Sequence, residues 1–192
     1  MSGLFIVLDG LDCVGKSTIA KLLAEKLKGV YYSTPPEPFL AECRQIDKHG
    51  VIFNEERFKF FVDTVIYSSR EIEKIVAGNT TTIVDRWIWT TLAYHFAANP
   101  ALYKKYANIW HNILTPLYPS NLSILIHIND EQIWRKRMTK REPSKCDNII
   151  LRDHKLRTDI SRLFLEFNPD FKLVDNSGSV EDTLISIMAL MP

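Results

Sequence analysis

The stretch Gly10-Leu11-Asp12-Cys13-Val14-Gly15-Lys16-Ser17 constrains this chain more than any other feature. It fits the spacing GxxxxGK[ST], which suits one kind of ligand. Glycines let the backbone fold into a concave nest whose N–H groups point at phosphate oxygens. A helix that opens at the lysine turns the positive end of its dipole toward the same anion. Lys16 then reaches the β- and γ-phosphates of a nucleotide, and the Ser17 hydroxyl ligates magnesium. The flanks supply the required context. Residues 4–8 form an apolar run, the mark of a strand buried on both faces. Over residues 16–28, Ile19, Leu22, Leu23 and Leu27 fall at helical spacing, and Gly29 suits the end of that helix. A plain glycine turn joining a strand to a helix is the competing reading.

The remaining pattern alternates in the same way. Strands are expected over residues 30–33, 81–84, 122–128 and 172–174. Helices are expected over residues 53–77 (capped by Asn54 and stopped by Gly78), 88–98, 101–114, 130–138, 149–167 and 181–188. The prolines at 35, 36 and 38 require a loop between them. Such alternation predicts an α/β fold, with a five-stranded parallel sheet covered by helices on both faces. A length of 192 residues suits one domain, 1–192.

Composition narrows the partners. The formal net charge is +1, so no global field favours nucleic acid or a membrane surface. No apolar stretch approaches the ~20 residues of a membrane span. Cys13, Cys43 and Cys146 form no CxxC pair, which argues against a zinc site and for a reducing compartment. A cytoplasmic protein is the expectation.

Magnesium needs a second acidic group. Asp85, at the end of the β-branched run 81–84, supplies one through metal-bound water, and Arg86 follows it toward the phosphates. Arg135, Lys136, Arg137, Lys140, Arg141 and Lys145 crowd into a basic stretch that predicts a lid over about residues 135–148. Phosphoryl transfer needs such charge on the migrating group. No NKxD segment points to a GTPase, and no DxxG switch segment follows the strand expected over 81–84.

These motifs together resemble the thymidylate kinase family, over nearly the whole chain. The P-loop with its internal Asp12 is similar to the family's. Pro36-Glu37-Pro38 and Leu40-Ala41-Glu42-Cys43-Arg44 resemble its Glu-Pro region, and Val84-Asp85-Arg86-Trp87 with Thr91-Leu92-Ala93-Tyr94-His95 resembles its Asp-Arg segment. The resemblance implies a P-loop kinase fold and transfer of the γ-phosphoryl group of Mg-ATP to a pyrimidine deoxynucleoside monophosphate, with dTMP as the leading acceptor. It implies ATP contacts at Gly10, Cys13, Val14, Gly15, Lys16, Ser17, Thr18 and Arg137. Asp12 would hold the acceptor's 3′-hydroxyl, Arg86 its phosphate and Arg70 the base edge. Glu37 would help Asp85 organise metal waters. Arg44, Ile66, Tyr67, Tyr94 and His95 complete the implied acceptor site. Lys16, Arg86, Asp85 and a lid arginine, Arg141, form the implied catalytic set, because Cys13 stands where some members carry an arginine. Ile66 occupies the place of the family's usual phenylalanine, and His95 that of its glutamine or asparagine. Two alternatives stay open. A deoxynucleoside kinase would use Glu37 as base toward a 5′-hydroxyl, and a non-catalytic nucleotide-binding protein would not need Lys16, Ser17 and Asp85 together. A homodimer is expected from the resemblance and from the apolar surplus of residues 53–77: Phe58, Phe61, Val62, Val65, Ile66, Ile72 and Val76.

Overall fold

A computed structural model describes residues 3–49, 51–140, 142 and 144–191. Five strands form one sheet: β1 (Phe5–Asp9), β2 (Val30–Ser33), β3 (Thr82–Asp85), β4 (Leu122–His127) and β5 (Lys172–Asp175). Their order is β2-β3-β1-β4-β5, and every pair is parallel. Parallel neighbours cannot be joined by hairpins, so each connection passes through helices. Those helices cover the sheet, which is why every residue of β1 and β3 is buried. The edge strands are less protected, and they expose Val30 and Leu173.

The helices are α1 (Lys16–Lys26), α2 (Leu40–His49), α3 (Glu55–Ala77), α4 (Ile88–Ala98) and α5 (Pro100–Tyr106). They continue with α6 (His111–Leu114), α7 (Glu131–Met138), α8 (Lys145–Arg152), α9 (His154–Phe167) and α10 (Val180–Met188). α1 packs on α10 and on β2 and β3, whereas α4 packs on α3 and α9. The chain builds β2 and β3 on one side of β1 before crossing to β4 and β5 on the other. The carboxyl end of β1 is therefore the switch point where an open α/β sheet leaves a crevice. Residues 10–17 occupy that crevice.

Most expected elements form, with three differences. The helix expected over 101–114 is two pieces, α5 and α6. Asn99 starts the first by accepting the Leu102 N–H at 3.1 Å, and turns occupy residues 107–110. The helix expected over 149–167 is also two. α8 starts earlier, at a capping box between Ser144 and Asp147, and Asp153 breaks the run by capping α9 through the Leu156 N–H at 2.9 Å. α2 was not among the expected elements; most of its side chains are exposed, so no apolar stripe marks it. Asn54 and Gly78 bound α3 as anticipated. No helix among the described residues is long and apolar enough to cross a membrane.

Candidate active site

The phosphate loop departs from β1 and is held from several sides. Gly10 has φ 141°, and a Cβ there would lie 2.2 Å from the Ile126 carbonyl oxygen on β4. Gly15 has φ 100°, and a Cβ there would meet the Asn176 amide nitrogen at 2.3 Å. Both positions need glycine for space as well as for dihedral angle. Cys13 adopts φ 62° without being glycine. Asn176, after β5, donates from Nδ2 to the Val14 carbonyl at 2.7 Å, and Thr183 of α10 fixes Asn176 by donating to Oδ1 at 2.8 Å. Trp134 of α7 donates from Nε1 to the Asp12 carbonyl at 2.8 Å. Lys16 is buried and donates to the carbonyls of Gly10 and Leu11, at 3.1 and 2.7 Å. Burial and the Arg86 charge push its pKa down to about 8, against the pull of Asp12, Asp85 and Asp9.

Two cavities meet at this loop. One, of about 370 Å³, is lined by Cys13, Gly15, Lys16, Ser17, Thr18 and Arg137. The other, of about 300 Å³, is lined by residues of α2, α3, α4 and α8. Asp12 and Arg86 line both. Their side chains form an ion pair, with the Arg86 Nη2 donating to Asp12 Oδ1. Tyr94 completes the cluster: its hydroxyl donates to Asp12 Oδ2 at 3.0 Å and accepts the Asp12 N–H at 2.9 Å. Burial pushes the Asp12 carboxyl up, but Arg86, Lys16 and the Tyr94 hydroxyl outweigh it and hold it well below the usual carboxylate range. Arg86 has φ 73°, a left-handed backbone that costs a non-glycine residue about 1–3 kcal/mol.

Asp85 ends β3 and is buried. Its Oδ2 accepts the Tyr31 hydroxyl at 3.3 Å, whereas Oδ1 has no partner. An orphaned buried carboxylate oxygen calls for a cation or an ordered water. Asp9, at the end of β1, is also fully buried, with Oδ2 unpartnered; the sequence reading gave it no role. Burial raises its pKa against bonds from Thr90 and the Trp87 N–H.

The lining of the second cavity differs from the acceptor site expected from the sequence. Arg57 and Phe61, one helical turn apart on α3, face it, and Arg57 stands 4.6 Å over the Phe61 ring. Asp47 of α2 accepts Arg57 Nε and Nη2 at 3.2 and 2.8 Å. Arg57 Nη1 lies 3.5 Å from His95 Nε2. His95 Nδ1 lies 2.8 Å from the Thr91 carbonyl, which can only accept, so the ring proton is on Nδ1 and Nε2 is an acceptor. Burial and Arg57 push His95 down to about 3. The structure thus brings Asp12, Arg86, Tyr94 and His95 together, but not Ile66, Tyr67, Arg70, Arg44 or Glu37. Arg70 and Tyr67 are exposed and share a separate surface depression. The reason is register: Arg70 lies thirteen residues beyond Arg57, about 20 Å along the axis. Tyr67 packs edge-on against Phe39 at 5.2 Å, and Ile66 packs on the core. Arg44 is exposed on α2, while Cys43 and Asp47 face the cavity. Glu37 is exposed in a short 3-10 turn, Glu37–Phe39, outside both linings. Arg57 and Asp47 were missed by the sequence reading, and an aromatic four residues from an arginine was the available signal.

Part of the stretch expected as a lid borders this cavity. Ser144, Cys146 and Asp147 line it, and the Lys145 ammonium donates to the Lys48 carbonyl of α2 at 2.8 Å. Arg137 donates to the Asn176 carbonyl at 2.9 Å and faces the P-loop cavity. Arg135 is tied to Glu131 instead. Arg141 lies outside the described residues.

A parallel sheet of this order, with its phosphate nest at the end of β1, defines a phosphotransferase of the P-loop kinase class. A model of the thymidylate kinase family matches residues 8–187. The chain belongs to the thymidylate kinase family. A probable thymidylate kinase of Pyrococcus horikoshii is 27% identical over 100% of this chain and 97% of its own length. A thymidylate kinase of Cupriavidus metallidurans is 25% identical over 97% and 96%. The solved thymidylate kinase of Candida albicans superposes with a TM-score of 0.75, at 18% identity, over 98% of this chain and 91% of that one. At such identity the superposition supports the fold.

Proposed function

We propose that this chain transfers the γ-phosphoryl group of ATP to dTMP, giving dTDP and ADP. The observation that carries this reading is that Asp12 and Arg86 line both cavities, so a phosphate nest and a base-sized cavity share one junction. An oxygen of the acceptor's phosphate attacks the γ-phosphorus there, the bond to the β,γ-bridging oxygen breaks, and ADP leaves with that electron pair. Lys16 and Arg137 hold the donor's phosphates. Arg86 holds the acceptor's phosphate, and Asp12 is placed for its 3′-hydroxyl. Lid residue Arg141 belongs to the same reading as the charge on the migrating group. Ser17 and Asp85 would hold magnesium, Asp85 through water; the donors are all oxygen, and the unpartnered Asp85 Oδ1 fits such a role. Magnesium, when bound with ATP, neutralises charge on the β- and γ-phosphates.

The base reading rests on Arg57 and His95. A donor beside a fixed acceptor complements the O4 and N3–H of thymine, and mismatches the amino group and bare N3 of cytosine. A nucleoside acceptor would need a general base, and Glu37 is exposed and outside the cavity lining. A cytoplasmic enzyme fits substrates of this kind. The homodimer rests on the family alone, because Phe58, Val62, Val65, Ile72 and Val76 are buried within the chain's own core.

The test is ADP release from Mg-ATP with dTMP, dUMP, dCMP, thymidine and deoxycytidine, on protein whose solution mass is measured and expected to be dimeric. Efficient turnover of dTMP with little of dCMP or either nucleoside is expected. Faster turnover of thymidine or deoxycytidine than of dTMP would overturn the reading.

A further inference from the structure

We propose that Thr34 and Asp9 are positioning residues for Arg86, holding the left-handed backbone that aims its guanidinium at the acceptor's phosphate. This rests on the reading that Arg86 binds that phosphate. Arg86 follows the last residue of β3, and a left-handed backbone at an arginine persists only where its surroundings over-determine it. Three bonds do so. The Arg86 N–H donates to the Leu8 carbonyl of β1 at 3.0 Å. The Arg86 carbonyl accepts the Thr34 hydroxyl at 2.8 Å. The next N–H, of Trp87, donates to Asp9 Oδ1 at 3.1 Å. The backbone of residues 86–87 is thus fixed by the ends of β1 and by the residue after β2.

The first bond is part of the strand ladder and needs no particular side chain. The other two depend on Thr34 and Asp9. Thr34 is buried, and its hydroxyl turns to the Arg86 carbonyl while its own N–H donates to the Asp85 carbonyl at 3.3 Å. Asp9 is a fully buried carboxylate with no ion pair among the described residues. Burying it is costly, and its bonds to Thr90 and the Trp87 N–H, with the nearby charges of Lys16 and Arg86, offset only part of that cost. Its bonded oxygen also accepts the Thr90 hydroxyl from the first turn of α4. One carboxylate therefore joins the residue after Arg86 to the helix that carries Tyr94 and His95. Without these bonds, the backbone at Arg86 relaxes toward negative φ and turns the guanidinium out of the junction between the cavities.

The experiment compares dTMP with thymidine, which shares the base and sugar but lacks the phosphate. Dissociation constants are measured by calorimetry for the wild type, Thr34→Val and Thr34→Ser. Thr34→Ala is read in place of Thr34→Val should the latter not fold. Losing the hydroxyl should weaken dTMP roughly tenfold and thymidine much less, because the contact Arg86 itself makes is to the phosphate that thymidine lacks. Thr34→Ser keeps the hydroxyl and should recover most of the dTMP affinity. Asp9→Ala, which also releases Thr90 at the start of α4, should weaken dTMP more than it weakens thymidine. Equal weakening of both ligands, or unchanged dTMP binding in a folded variant lacking the hydroxyl, overturns the proposal. A wild type that binds dTMP no better than thymidine instead sinks the reading of Arg86 on which it rests.

Discussion

His95 is buried against Arg57, and its imidazole stays neutral where an exposed one would take up a proton. Its pKa is about 3 in the folded chain against 6.5 unfolded. Between those values the unfolded state binds the extra proton, so stability is complete above pH 6.5 and falls as pH drops through that window. Each pH unit costs roughly 1.4 kcal/mol, or about 2 kcal/mol from pH 6.5 to 5. Urea denaturation at pH 7 and pH 5 should show that loss, and His95→Gln should remove most of it. An unchanged pH slope in a folded His95→Gln variant would refute the assignment. The phosphate loop was fully legible at this scale, because its residue types and spacing are demanded locally by an anion. Asp9 was not, because a buried acid at a strand end has no sequence signature until the turn it supports is seen.

Elements were legible where a cap or a breaker is written into the chain, as at Asn54 and Gly78 of α3. Their breaks were harder to read. Asp153 is an ordinary polar residue within an apolar periodic stretch and Ser144 one within a basic stretch, and only their caps on α9 and α8 reveal the division. The register of α3 was the consequential miss. A 23-residue helix carries one arginine in its first turn and another thirteen residues on, and sequence alone does not say which meets the cavity. Its first turns pack on α4, so Arg57 and Phe61 face the site while Arg70 is carried past it. Arg57→Ala should raise the KM for dTMP by about tenfold or more, since a hydrogen bond from a charged donor is worth ~1.5–3 kcal/mol. Arg70→Ala should leave KM and kcat near wild type. The reverse pattern in steady-state kinetics would restore the base edge to Arg70.

For the molecule as a whole, the sheet and its core close without help from the site. Ile6, Val7, Ile83, Val84 and Ile124 are fully buried on the three central strands. The polar atoms that a cation or phosphate would satisfy lie at the strand ends, at Asp85 and in the loop after β1. A metal is therefore expected to act on the ligand-bound protein and not on the fold. A chelator alone should leave the melting temperature unchanged while abolishing turnover. ADP with magnesium should raise it, because a ligand bound only by the folded state stabilises by RT ln(1 + [L]/Kd), about 2.7 kcal/mol at a hundredfold excess over Kd. For a chain of this size that is a shift of roughly 5–10 °C. ADP with a chelator should give a smaller shift, because Asp85 Oδ1 then stays buried and unpaired. Differential scanning calorimetry under the four conditions decides the matter. A fall in melting temperature on chelation alone would make the metal structural, and equal shifts by ADP with and without magnesium would remove Asp85 from the metal site.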